Sequence, residues 1–237
     1  MTNEEFSNEF DTLANSYSKM ESFGKVPTLF EFDEYEKSIY LTKAQEEVIR
    51  NLYNGKNVYG DSFEKTEEIR RYLSSLVKTQ TFDIQILLPE KQKVSSASAC
   101  FSLPADLLFI TYEAVKFVDN SLPCVSNTDI LVIPVTQDEY YRIVRNPFKG
   151  PNERRVLRLD LENNMVELVS KYQISEYKVR YLTKPSPIIL STLPEGLTIN
   201  GISEETDCKL HPMLHRVILE SAVKLAITSK ALGATKE

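Results

Sequence analysis

Apolar residues recur at Phe6, Phe10, Leu13, Tyr17 and Met20, in alternating steps of four and three, and so fall on one stripe of a helix predicted over Asn3 to Met20. Gly24 and Pro27 end that helix. A second helix is predicted from Lys43 to Tyr53, because Thr42 and Gln45 have capping-box spacing and Gly55 lies just past the end. Asp61 and Glu64 repeat the device ahead of a third helix, whose apolar face holds Ile69, Leu73, Leu76 and Val77. The first third of the chain therefore reads as helical.

After Thr79 the period becomes two. Phe82, Ile84 and Ile86 alternate with Asp83 and Gln85, the pattern of a half-buried strand. The runs Leu108 to Val118 and Asp129 to Val135 are also predicted strands. Leu157, Leu159 and Leu161 alternate with polar residues up to Asn163-Asn164, and Val166 and Leu168 continue beyond, which predicts a hairpin. Tyr177, Val179 and Tyr181 mark a further strand. The short spacings favour a mainly antiparallel sheet or a sandwich, interrupted by one helix that opens on a Thr136 and Glu139 capping box and stops at Asn146-Pro147. Pro212 starts a last helix running to about Ala231, ahead of Gly233. Its stripe is Leu214, Ile218, Ala222 and Leu225, with Ser221 and Ala226 small enough for close packing. The expected fold class is α+β: a helical region over residues 1–80, a β-rich domain over 81–205 with a helix inserted at 136–145, and a C-terminal helix over 206–237 that packs back on the helical region.

Composition agrees with a folded chain of 237 residues, since 42% are hydrophobic and 26% charged. A net charge of −6 argues against coating of nucleic acid. The three cysteines, Cys100, Cys124 and Cys208, have no paired spacing and read as reduced thiols. The acidic start lacks a signal-peptide core, and no apolar run is long enough to span a membrane, so synthesis and retention in a cytoplasm are expected. No Gly-rich phosphate loop and no nucleophile elbow occur. Cys208, His211 and His215 have metal-ligand spacing, but a structural zinc site needs a fourth ligand and a catalytic one a general base. No catalytic residue, cofactor or metal is therefore expected.

One stretch departs from the acidic balance. Arg142, Arg145, Lys149, Arg154, Arg155 and Arg158 stand against a single acid, Glu153. These six residues are the candidate subunit or partner interface, as a contact to an acidic protein surface or to DNA phosphates. The same charges equally suit the exposed ends of a helix and a hairpin, and the stretch lacks the aromatic interleaving of a single-strand binder.

Five segments in order carry a family resemblance: Leu103 to Asp106, Pro134 to Tyr140, Arg145 to Pro151, Arg180 to Ile189, and Leu210 to Ile218. Together they resemble the neck and tail ring proteins of short-tailed bacteriophages, especially the crAss-like phages of gut Bacteroidales. They are more distantly similar to tail tubular protein A and the head-to-tail adaptors. The resemblance implies a non-enzymatic virion protein, made in the bacterial host cytoplasm and assembled into a closed homo-oligomeric ring of about twelve copies. Its implied partners are the portal protein and neighbouring neck or tail rings, with DNA passing through the channel without sequence-specific binding and no membrane involved. An acidic lumen would repel phosphates and let DNA slide. Residues 1–80 are not matched by the adaptor pattern. The alternative is a DNA-binding regulator with an N-terminal helix-turn-helix around Asn54 to Gly60, although acids outnumber bases over residues 1–80. A metal enzyme centred on Cys208, His211 and His215 is a third reading.

Overall fold

A computed structural model describes residues 1–21, 31–56, 62–63, 65–83, 94, 98–118 and 128–234. The chain divides into two compact units, residues 1–76 with 185–237, and residues 77–184. The segment 185–205, expected within the β-rich domain, thus belongs with the helices.

In the first unit, α1 (Asn3–Glu21), α2 (Glu34–Asn54) and α5 (Pro212–Ala234) pack together, with a short α3 (Glu67–Tyr72) followed by a single 3-10 turn. The apolar stripe of α1 is buried at Phe6, Phe10 and Ala14. The second helix starts earlier than its apolar pattern suggested. Asp33 caps it, accepting from the Glu36 amide at 2.6 Å while the Glu36 carboxylate reaches back to the Asp33 N–H, and Gly55 closes it at a φ of 73°. Lys37 on α2 is buried and reaches Asp11 at 2.7 Å and Glu34 at 3.1 Å. Burial opposes its charge, but the two carboxylates outweigh that and hold its pKa above the usual lysine value.

Thr42 and Gln45 are therefore not a cap but interior residues of α2. With Ser38 they form a polar row on one helix face, at spacings of four and three. Each meets the backbone of the extended segment 186–190. The Gln45 amide donates to the Ser186 carbonyl at 2.9 Å. The Thr42 hydroxyl donates to the Ile188 carbonyl at 3.3 Å and accepts from the Ile188 N–H at 3.1 Å, and Ser38 Oγ accepts from the Leu190 N–H at 3.0 Å. Ile189, between them, exchanges both backbone bonds with Thr206 at 3.1 and 3.0 Å. A buried segment outside any sheet thereby finds partners for its backbone polar groups.

The third helix ends at Tyr72, and Val77, expected on its face, opens a strand instead. Only six residues long and led by exposed Glu67 and Glu68, α3 makes a poor recognition helix. Gly24, Pro27, Gly60, Asp61, Glu64, Ile84, Gln85, Ile86 and Cys124 lie outside the described residues. The last helix runs on through Gly233, and its buried stripe continues through Leu219, Val223 and Ala226, leaving Leu225 exposed. Near its start His215 Nε2 bonds the Leu210 carbonyl at 3.0 Å, and Nδ1 lies 2.9 Å from the Met1 amine.

Among the described residues the second unit forms a seven-stranded sheet. In chain order its strands are β1 (Val77–Phe82), β2 (Ser98–Ser102), β3 (Leu107–Phe117), β4 (Ile130–Pro134), β5 (Arg155–Asp160), β6 (Met165–Val169) and β7 (Ile174–Thr183), arranged β1-β7-β3-β4-β5-β6-β2. All neighbours are antiparallel except β4 and β5, which are parallel because α4 (Gln137–Val144) crosses over between them. Thr136 precedes α4 without a side-chain cap bond, and Glu139 pairs with Arg142 instead of closing a capping box. The β5–β6 hairpin turns on Asn163 and Asn164, both at a φ of 57°, as a type I′ turn requires.

The sheet curls on itself. Five strand spacings separate β7 from β2, about 24 Å in a flat sheet, yet the Tyr177 and Phe101 rings lie 5.2 Å apart. One face thus encloses Phe101, Val115, Val132, Val156, Leu168, Tyr177 and Val179. The opposite face of β5 and β6 is covered by α4, through Tyr140 against Leu157, Leu159 and Val169. Leu157 and Leu159 alternate as expected, but β5 is buried on both sides.

Replacing Thr42 by Val keeps the shape and strands the Ile188 N–H and C=O in the interior, so a loss of about 1–3 kcal/mol is expected in urea unfolding. Thr12→Val, an exposed hydroxyl bonded to its own helix, serves as a control with a change near zero. Burial holds the His215 pKa below the usual histidine value, with the Leu210 carbonyl opposing. The unfolded chain then takes up the proton first, so His215 contributes stability that is lost as pH falls from about 6.5 through its lower folded value. Unfolding curves between pH 8 and 5 are expected to show a smaller loss in His215→Gln than in the wild type.

Candidate functional site

The long connection from α4 to β5 gathers most of the basic stretch. Asn146 organises it: its side-chain oxygen accepts from the Phe148 and Lys149 amides at 2.9 and 3.2 Å, and its carbonyl accepts from Gly150 at 2.8 Å. Pro147 fixes the entry to this turn. A guanidinium N–H of Arg155 donates to the Phe148 carbonyl at 2.7 Å, and Asn152 accepts from the Arg154 amide at 2.9 Å. The outcome is a loop whose backbone is tied down while Phe148 projects outward, 84% exposed. Gly150 is buried beneath it, where a Cβ would stand 3.0 Å from the carbonyl oxygens of both Val144 and Asn146.

The six basic residues do not stay together. Arg145, Lys149 and Arg154 are exposed, with no ion-pair partner among the described residues, and Arg142 is exposed but paired with Glu139 at 2.6 Å. Arg155 is half-buried by its bond to the loop. Arg158 points the other way, into the sheet core. There it ion-pairs with Glu113 and lies 3.0 Å from Asp160, while the Tyr177 hydroxyl donates to Glu113 at 2.7 Å. Burial pushes the Glu113 carboxyl above the usual range, with Arg158 opposing, and pushes the Tyr177 phenol up as well. Removing one partner of such a buried pair costs about 3–5 kcal/mol, so Arg158 is a core residue rather than a surface contact.

Two aromatics complete the exposed set, Phe148 and Tyr141, the latter 64% exposed. The basic stretch is therefore interleaved with exposed aromatics, contrary to the expectation drawn from the sequence. Their signal was present: of the pair Tyr140-Tyr141 only one ring can face the sheet, and Asn146-Pro147 turns the next side chain outward. Arg, Phe and Tyr on a pre-ordered loop are the composition and rigidity of a protein-contact surface.

The residues with metal-ligand spacing are engaged elsewhere. His215 is bonded as described, the His211 ring lies tilted against Tyr72 with centroids 5.2 Å apart, and Cys208 Sγ lies 3.9 Å from the Gln45 side-chain oxygen. Burial raises the Cys208 thiol pKa, which works against a thiolate ligand. Among the described residues no group of three or more His, Cys, Asp or Glu is placed to hold a metal ion, and no helix is long and apolar enough to cross a membrane.

Because a Cβ at Gly150 would press on two backbone carbonyl oxygens at 3.0 Å and force the loop to shift, Gly150→Ala is expected to cost about 1–3 kcal/mol in unfolding. It should also speed amide exchange at Phe148 to Gly150, read by hydrogen–deuterium exchange, without changing exchange in α2.

The sequence profile of a family described as phage tail ring protein 3/4 matches residues 1–237. The chain is 49% identical over 231 residues to Ring protein 3 of Bacteroides phage crAss001, covering 97% of this chain and 96% of that protein. It is 34% identical over 236 residues to Ring protein 4/5 of the same phage, covering 94% of this chain and 90% of that protein. The match includes residues 1–80, which the adaptor pattern left unmatched. The chain belongs to the phage tail ring protein 3/4 family.

Proposed function

We propose that this protein is a structural subunit of a closed virion ring in the portal-proximal neck or tail, where it extends the channel through which the genome leaves. The observation that carries this reading is the match to phage tail ring proteins over the whole chain. A ring of identical subunits, about twelve in this proposal, needs two different surfaces on each copy. The exposed surface formed by Tyr141 and Arg142 at the end of α4 and by Arg145, Phe148, Lys149 and Arg154 beyond it is one of them. Its cations suit a partner surface as acidic as this chain, whose net charge is −6. The portal protein and the adjoining neck or tail rings are the neighbours along the axis. DNA passes through without sequence-specific contacts, because acids facing the lumen repel its phosphates.

Cryo-electron microscopy of particles from the phage that encodes the chain tests the proposal. The expected result is a closed ring of this chain on the tail axis, with the loop at a subunit boundary and Glu or Asp side chains on the inner wall. A chain absent from particles, or a ring whose acids all lie on the outer wall, would sink the channel reading.

A further inference from the structure

The first unit carries a cleft of about 370 Å³ between α1 and α5. Leu13 and the buried Leu219 line it, and Glu9, Glu220 and Arg216 are among the polar residues around it. A cavity of about 150 Å³ accommodates benzene, so this cleft accepts a phenyl ring with space left for its flanking chain. The cleft lies on an acidic helix. Glu4, Glu5 and Glu9 are all exposed on α1, and the first basic residue of that helix is Lys19. Among the described residues neither Glu9 nor Glu220 makes an ion pair, and the two leave the lining net negative against Arg216 alone.

We propose that Phe148 of one copy inserts into the α1–α5 cleft of a second copy, with Lys149, Arg145 and Arg154 meeting the carboxylates of Glu9 and Glu220. This rests on the ring reading and names the receiving surface for the exposed loop. The match is of shape and of charge. An exposed aromatic on a rigid loop meets an apolar recess of sufficient size, and three unpaired cations meet two unpaired carboxylates. An aromatic anchor in a pocket, ringed by polar contacts, is the arrangement in which a few residues carry most of an interface's energy. Loop and cleft use different residues, 141–155 against 8–13 and 216–220, so every copy offers both at once. Such a contact is heterologous, the type that builds a ring when the rotation between copies closes.

Carbodiimide treatment of intact particles tests this directly, because the reagent joins a lysine amine to a carboxylate only where the two are in contact. The expected result is a covalent dimer of this chain in which mass spectrometry finds Lys149 joined to Glu9 or Glu220. Multimers in which Lys149 is joined to other acids of the chain, to a different virion protein, or to nothing overturn the pairing and leave the ring reading standing. A chain present without any covalent multimer likewise overturns the pairing, and a chain that is absent from particles overturns the ring reading on which the pairing rests.

Discussion

Ser38, Thr42 and Gln45 hold the backbone of residues 186–190 against α2, and the first unit depends on that contact. Among the described residues the segment has no neighbouring strand to pair with on that side, and it is buried at Ile188, Ile189 and Leu190. Its carbonyls and amides would each cost the penalty of an unpaired buried polar group without these side chains. Pro185 and Pro187 reduce the demand further, because neither has an N–H to satisfy. Once the strap is set, Ile189 packs with Leu193 and Ile199 against Tyr35 and Ile39, and the chain continues into α5, which completes the helical core.

The sheet unit is organised around a different constraint, the curl that brings its two ends together. A curled sheet has one enclosed face, and that face holds an ionic cluster among its aromatics: Arg158, Glu113 and the Tyr177 hydroxyl. Such a cluster contributes little net stability compared with apolar side chains of equal volume. A register slip by one residue would move Glu113 or Arg158 to the opposite face and leave its partner buried and unpaired. A second carboxylate, Glu167, is fully buried on β6 and accepts from the Val94 amide at 2.9 Å and from the Ser98 hydroxyl. Both acids accept hydrogen bonds in the interior.

The parallel pairing of β4 and β5 links fold to function. A parallel neighbour forces a crossover, and α4 and its following loop are that crossover. The helix covers Leu157 and Leu159, while the loop beyond it leaves Phe148, Lys149 and Arg154 exposed. Asn146, Pro147, Gly150 and Arg155 fix its backbone all the same, and in the proposed interface that order would lower the entropy lost on assembly.

The sequence by itself determined the α+β class, the first and last helices, the β5–β6 hairpin on Asn163-Asn164 and the strand through Tyr177, because each rests on local periodicity or on a turn that demands a particular φ. The ordered motifs from Leu103 to Ile218 likewise carried the ring-protein family. Pairing between distant segments was decided only in the tertiary structure. Thr42 and Gln45 have the spacing of a helix cap, and nothing local reveals that their hydrogen bonds go to residues more than 140 positions away. Arg158 reads as one more cation of a basic stretch until Glu113, from another strand, takes it inside. The parallel β4–β5 pair and the exposure of Phe148 and Tyr141 share that cause: which face of an element is covered depends on what folds against it, and that partner is set by the whole chain rather than by the neighbouring residues.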